Sequence, residues 1–195
     1  GRTTMAGEGL QHQDGHSTLI ASSLPSCLSY DPTFVFEVAT IIKEGLRRMW
    51  DEDQDVLYYI TLYNENYAQA AMPDGVRDGI LAGIYPFRPA PLAPGEARHR
   101  ARLVGSGPIL LGVLSAQQIL AERYGVAADV YSATSWTELR RDALAAERWN
   151  RLHPGEEPRV PWVTSCLEQG EGPVVVASDF MKALPDGVAR WIPGE

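Results

Sequence analysis

The sequence predicts an α/β fold with a mainly parallel sheet, and three observations predict it. Short runs rich in β-branched and aromatic residues alternate with longer stretches of helical periodicity. The alternation occurs twice, in an early group and a late one. A Pro-rich stretch separates the groups, so the chain divides into 1–72, a connector over 73–98, and a second α/β part over 99–195.

Composition sets the outer limits. With 195 residues, 45% hydrophobic and 22% charged, the chain is ordinary globular material for one large domain or the parts of two. Its net charge of −8 argues against nucleic acid and against anionic membrane surfaces, since both need clustered Lys and Arg. The run 109–120 is too short to span a bilayer and is broken by Ser115, Gln117 and Gln118. Two cysteines, Cys27 and Cys166, and no signal peptide lead us to expect a cytoplasmic protein. Opening on Gly1 without an initiator Met suits a piece of a longer chain.

In the early group, Ser26-Cys27-Leu28-Ser29-Tyr30 reads as a short strand, and Asp31-Pro32-Thr33 as a helix start. Val35, Val38, Ile41, Ile42, Leu46 and Met49 recur at spacings of three and four, which predicts a helix over 33–50 packing this stripe into the core. The acidic cluster Asp51, Glu52, Asp53 and Asp55 is expected to be a solvated loop. Residues 56–62 then read as a buried strand that closes a βαβ unit. Asn64-Glu65-Asn66-Tyr67 follows that strand and is read as a structural turn.

Between 73 and 98 the prolines 73, 86, 89, 91 and 94 remove donors and fix φ, which predicts an extended connector with a short helix over 74–81. The late group repeats the alternation. Strands are predicted over 101–104, 126–133 and 173–177, helices over 109–124 and 137–149, and helical turns over 161–167 and 179–184. Ser135 is a candidate N-cap. Gly105-Ser106-Gly107 at a strand-to-helix turn invites a dinucleotide-binding reading. Leu110 stands where the third glycine belongs, however, and no acidic residue closes the next strand, so a plain turn is the simpler reading.

Chemistry concentrates in Gly7-Glu8-Gly9-Leu10-Gln11-His12-Gln13-Asp14-Gly15-His16-Ser17. The glycines predict a shaped loop. His12 and His16 have the spacing of a zinc helix, but Gln13 cannot serve as a general base and Gly15 disfavours the helix, so no metal site is assigned. A solvated loop and an organic active site both stay open on the residues alone.

The residues Gly1-Arg2-Thr3-Thr4 and Gly7 to Ser17, with Ser29-Tyr30-Asp31-Pro32, Asn64-Glu65-Asn66-Tyr67, Ala71-Met72-Pro73, Leu103-Val104-Gly105-Ser106-Gly107, Asp129-Val130-Tyr131-Ser132 and Glu147-Arg148-Trp149-Asn150, carry a resemblance. The chain resembles the homodimeric, thiamine-diphosphate-dependent bacterial pyruvate dehydrogenases, whose subunit is several times longer. The resemblance implies the end of a pyrimidine-binding thiamine-enzyme domain followed by a transketolase-C-terminal-like α/β domain. It implies decarboxylation of pyruvate on thiamine diphosphate with Mg2+, and reductive acetylation of a lipoyl group on the acyltransferase component. The diphosphate and magnesium motif and the glutamate that activates the aminopyrimidine would lie upstream, so the chain alone is expected to be inactive and to bind no cofactor.

By the same resemblance His12 is the proton donor or orienter of the substrate adduct, and Glu8 positions it. Asp14 and His16 are weaker substrate-binding candidates, since Asp-Gly also serves turn geometry. Gln13 stands where the family more often has an acidic residue. The competing reading is an assembly module that docks against a second copy of the chain, with a nucleotide-binding α/β domain a more distant one.

Overall fold

A computed structural model describes residues 10–93 and 95–194 of the chain. In order, the elements are α1 (Ser17–Ala21), β1 (Cys27–Tyr30), α2 (Val35–Leu46), β2 (Leu57–Ile60), α3 (Arg77–Ala82), β3 (Ile84–Arg88), β4 (His99–Gly105), α4 (Ile109–Ile119), β5 (Val126–Ala133), α5 (Trp136–Leu152), α6 (Trp162–Leu167), β6 (Val174–Ala177) and α7 (Ala183–Asp186). Wider π turns, Arg47–Asp51 and Leu120–Tyr124, extend α2 and α4.

Two sheets result. β1 and β2 pair in parallel around α2, the βαβ unit read from the sequence. The second sheet has the order β3-β5-β4-β6, with β5, β4 and β6 parallel and β3 antiparallel at one edge. Period-two alternation distributes its side chains between two cores. Ala101, Leu103, Ala128 and Val130 pack with Leu110 and Val113 of α4, and Val104, Tyr131 and Ala133 pack with α5, α6 and α7. Helices therefore cover both faces, as a mainly parallel sheet requires.

The two sheets are joined by polar groups as well as by apolar packing. Ser135 caps α5 by accepting from the Glu138 N–H at 3.0 Å, and its hydroxyl donates to the Ser29 carbonyl at 2.6 Å. The Arg141 guanidinium donates to the Cys27 carbonyl at 3.0 Å. The first turns of α5 thus cover the side of β1 that no strand pairs, which satisfies main-chain groups that would otherwise be orphaned.

The deepest joint is Glu37, a fully buried carboxylate on α2. It accepts from the N–H groups of Thr33 (2.5 Å) and Phe34 (2.9 Å), from the Tyr85 hydroxyl on β3 (2.6 Å) and from the Ser132 hydroxyl on β5 (2.7 Å). The Phe34 amide is the N-cap donor that a helix cannot satisfy internally and Thr33 directly precedes it, so Glu37 caps its own helix while fastening it to the other sheet. Burial still dominates and pushes its carboxyl above the ordinary range, with the four hydrogen bonds opposing.

Three expectations are corrected. The apolar stripe on α2 is split: Ile41 is buried as expected and Val38 half-buried, whereas Val35, Ile42, Leu46 and Met49 are exposed, and the buried face is Glu37, Ile41 and Gly45, continued from Phe34 before the helix. A Cβ on Gly45 would stand 3.3 Å from the Tyr58 ring, so packing on β2 selects the face with the small residue. Strand β2 is half-buried, with Leu57 and Tyr59 exposed, because it is an edge strand with one covered face. Finally, the Pro-rich segment carries the expected short helix as α3 but also contributes a strand, β3. Pro86 is tolerated because β3 lies at a sheet edge, where the pairing register shifts between Pro86 and Arg88.

Replacing Glu37 by Leu leaves four buried donors without an acceptor, and we expect a loss of about 3–5 kcal/mol in urea unfolding. Because the folded carboxyl titrates above its unfolded value, its ionisation costs stability at neutral pH, and that cost fades as pH falls through the folded value. The stability of the wild-type chain relative to Glu37→Gln should therefore improve on acidification from neutral pH.

Candidate functional site

Parallel strands place their C-terminal ends along one edge, and in both sheets that edge is where the polar side chains of this chain gather. Asp31 follows β1, Thr61 and Tyr63 follow β2, Ser106 and Gly107 follow β4, Thr134 follows β5, and Ser178 follows β6. Asp31 joins them. Its N–H donates to the Thr134 carbonyl at 2.7 Å, its carbonyl accepts from the Gly107 N–H at 3.1 Å, and its carboxylate accepts from the Thr61 hydroxyl at 2.6 Å and from the Tyr63 hydroxyl. The Thr33 hydroxyl donates to the Gly107 carbonyl at 2.7 Å. Further along, Ser106 accepts from the Trp136 indole N–H at 3.3 Å and bonds Ser178 at 3.2 Å.

The His-bearing loop sits at the β6 end of this edge. Leu10–His12 forms a 3-10 turn, and the Met181 N–H, just past β6, donates to the Gly15 carbonyl at 3.0 Å. Asp14 organises the turn into α1. Its Oδ1 accepts from the N–H groups of His16 (3.1 Å) and Ser17 (3.0 Å), and its Oδ2 accepts from the Ser17 hydroxyl. This is the Asx geometry that an Asp-Gly pair suggests. His12 and His16 both expose their side chains. Glu8 lies outside the described residues.

Other groups are occupied structurally. Asn64 to Tyr67 belongs to a segment lashed to the start of α2, where the Tyr67 hydroxyl donates to the Thr33 carbonyl and the Gln69 side-chain oxygen accepts from the Val35 N–H at 2.9 Å. At Gly105-Ser106-Gly107 the approach needed by a phosphate is filled by the Asp31 carboxylate. A Cβ on Gly105 would meet the Leu110 backbone at 2.9 Å, so this glycine serves close strand-to-helix packing. Cys166 is buried, and burial pushes its thiol up to about 12, which keeps it unreactive. Among the described residues no three His, Cys, Asp or Glu side chains converge on a metal position. No helix there is long and apolar enough to cross a membrane.

Sequence reasoning missed Asp31 and Glu37 as organising residues. Asp31 carried a signal, an acid immediately after a strand and before Pro32. Glu37 carried only its place three residues after Phe34, which lacks the hydroxyl of a recognisable capping box.

The architecture is that of an α/β protein whose polar edge lies at the C-terminal ends of its parallel strands. The chain belongs to the transketolase-like TK C-terminal domain family, whose model matches residues 83–193. Residues 1–70 match the pyruvate dehydrogenase E1 component middle domain. Over the whole chain the sequence is 50% identical to the pyruvate dehydrogenase E1 component of Pseudomonas aeruginosa, 47% to that of Escherichia coli K12 and 46% to that of Mycolicibacterium smegmatis. It spans 22%, 21% and 21% of those relatives, so it corresponds to about a fifth of a pyruvate dehydrogenase E1 component.

The packing of Gly107 generates a stability prediction. Its φ is +53°, and a Cβ there would stand 2.7 Å from the Asp31 carboxylate and closer still to the Tyr63 hydroxyl. Gly107→Ala should cost about 2–4 kcal/mol in denaturant unfolding. Gly112→Ala, in α4 with nothing within 4 Å of the new methyl, should instead stabilise by about 0.5–1 kcal/mol.

Proposed function

We propose that this chain is the loop-bearing and C-terminal part of a pyruvate dehydrogenase E1 component, an oxidoreductase that acts in the cytoplasm on the 2-oxo acid pyruvate. In the whole protein the reaction is decarboxylation on thiamine diphosphate with reductive acetylation of a lipoyl group on the acyltransferase component. The observation that carries the reading is similarity at 46–50% identity through the entire chain, the His-bearing loop included. The position of that loop at the C-terminal edge of the sheet supports it, and two buried, unpaired thiols suit a reducing compartment.

Within that reaction His12 holds or gives a proton at the carbonyl oxygen of the substrate, a task for which imidazole is suited near neutral pH. Its exposed side chain on a turn anchored through Gly15 and Met181 is consistent with a group presented to a ligand. Glu8 would position it. Asp14 holds the turn into α1, so its contribution to substrate binding runs through the placement of His16. On this reading the groups that hold the diphosphate and its magnesium lie upstream of these residues in the whole protein. The partners are pyruvate, the lipoyl-bearing acyltransferase component and a second copy of this chain.

Two measurements test the reading. In the full-length enzyme His12→Ala should lower turnover by about 10²-fold or more while leaving melting temperature and oligomeric state unchanged. Turnover near the wild-type value refutes the assignment. Calorimetric titration of the 195-residue chain with thiamine diphosphate and Mg2+ should give no micromolar binding, and such binding would show that the cofactor site is complete within this chain.

A further inference from the structure

The main-chain bond that ties the His-bearing loop to the sheet is itself held in place by a line of side chains. Pairing of β4 with β6 ends at Gly105 and Ala177, so Ser106 and Ser178 are the first residues beyond the ladder. Their hydroxyls continue it, Ser106 donating to Ser178 at 3.2 Å. Ser106 is fully buried and accepts at 3.3 Å from the indole N–H of Trp136, itself buried at the head of α5. Ser178 also accepts from the Phe180 N–H at 3.2 Å, the local turn that a serine hydroxyl can close. The Phe180 ring is buried in the core with Leu184, and Leu19 of α1 packs on the same cluster.

Next to Phe180 stands Met181, whose N–H donates to the Gly15 carbonyl at 3.0 Å. Gly15 lies three residues after His12 and directly after Asp14, which closes the turn into α1. We propose that Ser178 is a positioning residue for His12: its hydroxyl fixes the turn 178–181, and through the Met181–Gly15 bond that turn sets where the imidazole stands at the strand edge. Without the Ser178 oxygen the Phe180 N–H loses this acceptor and the buried Ser106 hydroxyl loses its own. The Met181 N–H then shifts relative to Gly15, and the loop shifts with it. A displacement of about 1 Å in a group that handles a proton lowers rate far more than it lowers substrate affinity. Ser178 itself touches neither pyruvate nor cofactor in this scheme. The inference rests on the role proposed above for His12 and adds the residue that holds it in place.

Steady-state kinetics of the full-length enzyme test it. Ser178→Ala should lower kcat about 10-fold with KM within about twofold, and Ser178→Thr, which keeps the hydroxyl, should restore kcat. Thr164→Val removes a comparable hydroxyl bond on α6, to the Trp191 carbonyl at 2.6 Å, and should keep wild-type kcat. An equal loss in that variant overturns the proposal, since general loosening then accounts for both. In the His12→Ala background Ser178→Ala should change kcat by less than about twofold, because a group acting through His12 has nothing left to position. The same loss in that background, or wild-type kcat in the single variant, overturns the proposal and leaves the His12 assignment standing. Full turnover in His12→Ala overturns the assignment and the inference together. Hydrogen exchange reads the structural link separately: amides of residues 12–18 should exchange faster in Ser178→Ala and return to wild-type rates in Ser178→Thr. Unchanged exchange in Ser178→Ala breaks the link between turn and loop whatever the kinetics give.

Discussion

Glu37 is the constraint on which the arrangement of the two sheets depends. Its carboxylate collects two amides from the start of α2, one hydroxyl from β3 and one from β5, so that helix start and sheet edge are positioned by a single group. A buried charge of this kind costs desolvation, which is why the carboxyl is pushed upward. It persists because each of its donors would be equally expensive to bury alone. With α2 fixed this way, Asp31 just ahead of it is brought against Gly107 and Thr134, and the C-terminal edges of both sheets become one continuous floor.

That floor explains how the chain divides its polar groups. Asp31 accepts from Thr61 and Tyr63, Ser106 accepts from Trp136, and the two groups hold the floor together. The loop after residue 9 is attached at the β6 end through a main-chain bond to Met181, and its histidines are exposed. From the middle of β4, Arg102 donates to the carbonyls of Leu167, Gly172 and Pro193 and so binds the turn before β6 and the end of the described chain to the sheet. Structural and chemical roles are thereby separated in space, with buried polar groups satisfied inside and ionisable groups presented at the rim.

Much of this was legible in the residues. The parallel βαβ unit, the strands over β4, β5 and β6, the Ser135 cap and the turn at Asp14 follow from period, turn chemistry and capping. Strand β3 was not legible, because Pro86 argues against a strand unless it lies at an edge, and edge position is a property of the assembled sheet. Periodicity marked α2 as amphipathic and placed Ile41 correctly, but it missed the rest of the buried face, since Gly45 and Glu37 read as weak and polar while Leu46 and Ile42 read as core.

By itself the sequence determined the order and type of the elements other than α1 and β3, and membership of a family, because these depend on neighbours along the chain and on motif identity. Only the tertiary structure decided which face of α2 is buried, that β3 completes the sheet, and that Asp31 and Glu37 hold the two sheets together. Each of those outcomes depends on the surface a residue meets across space: close approach at Gly45, an unpaired edge beside β5, and buried donors arriving from distant strands. A carboxylate in a sequence does not say how many of those donors it will find.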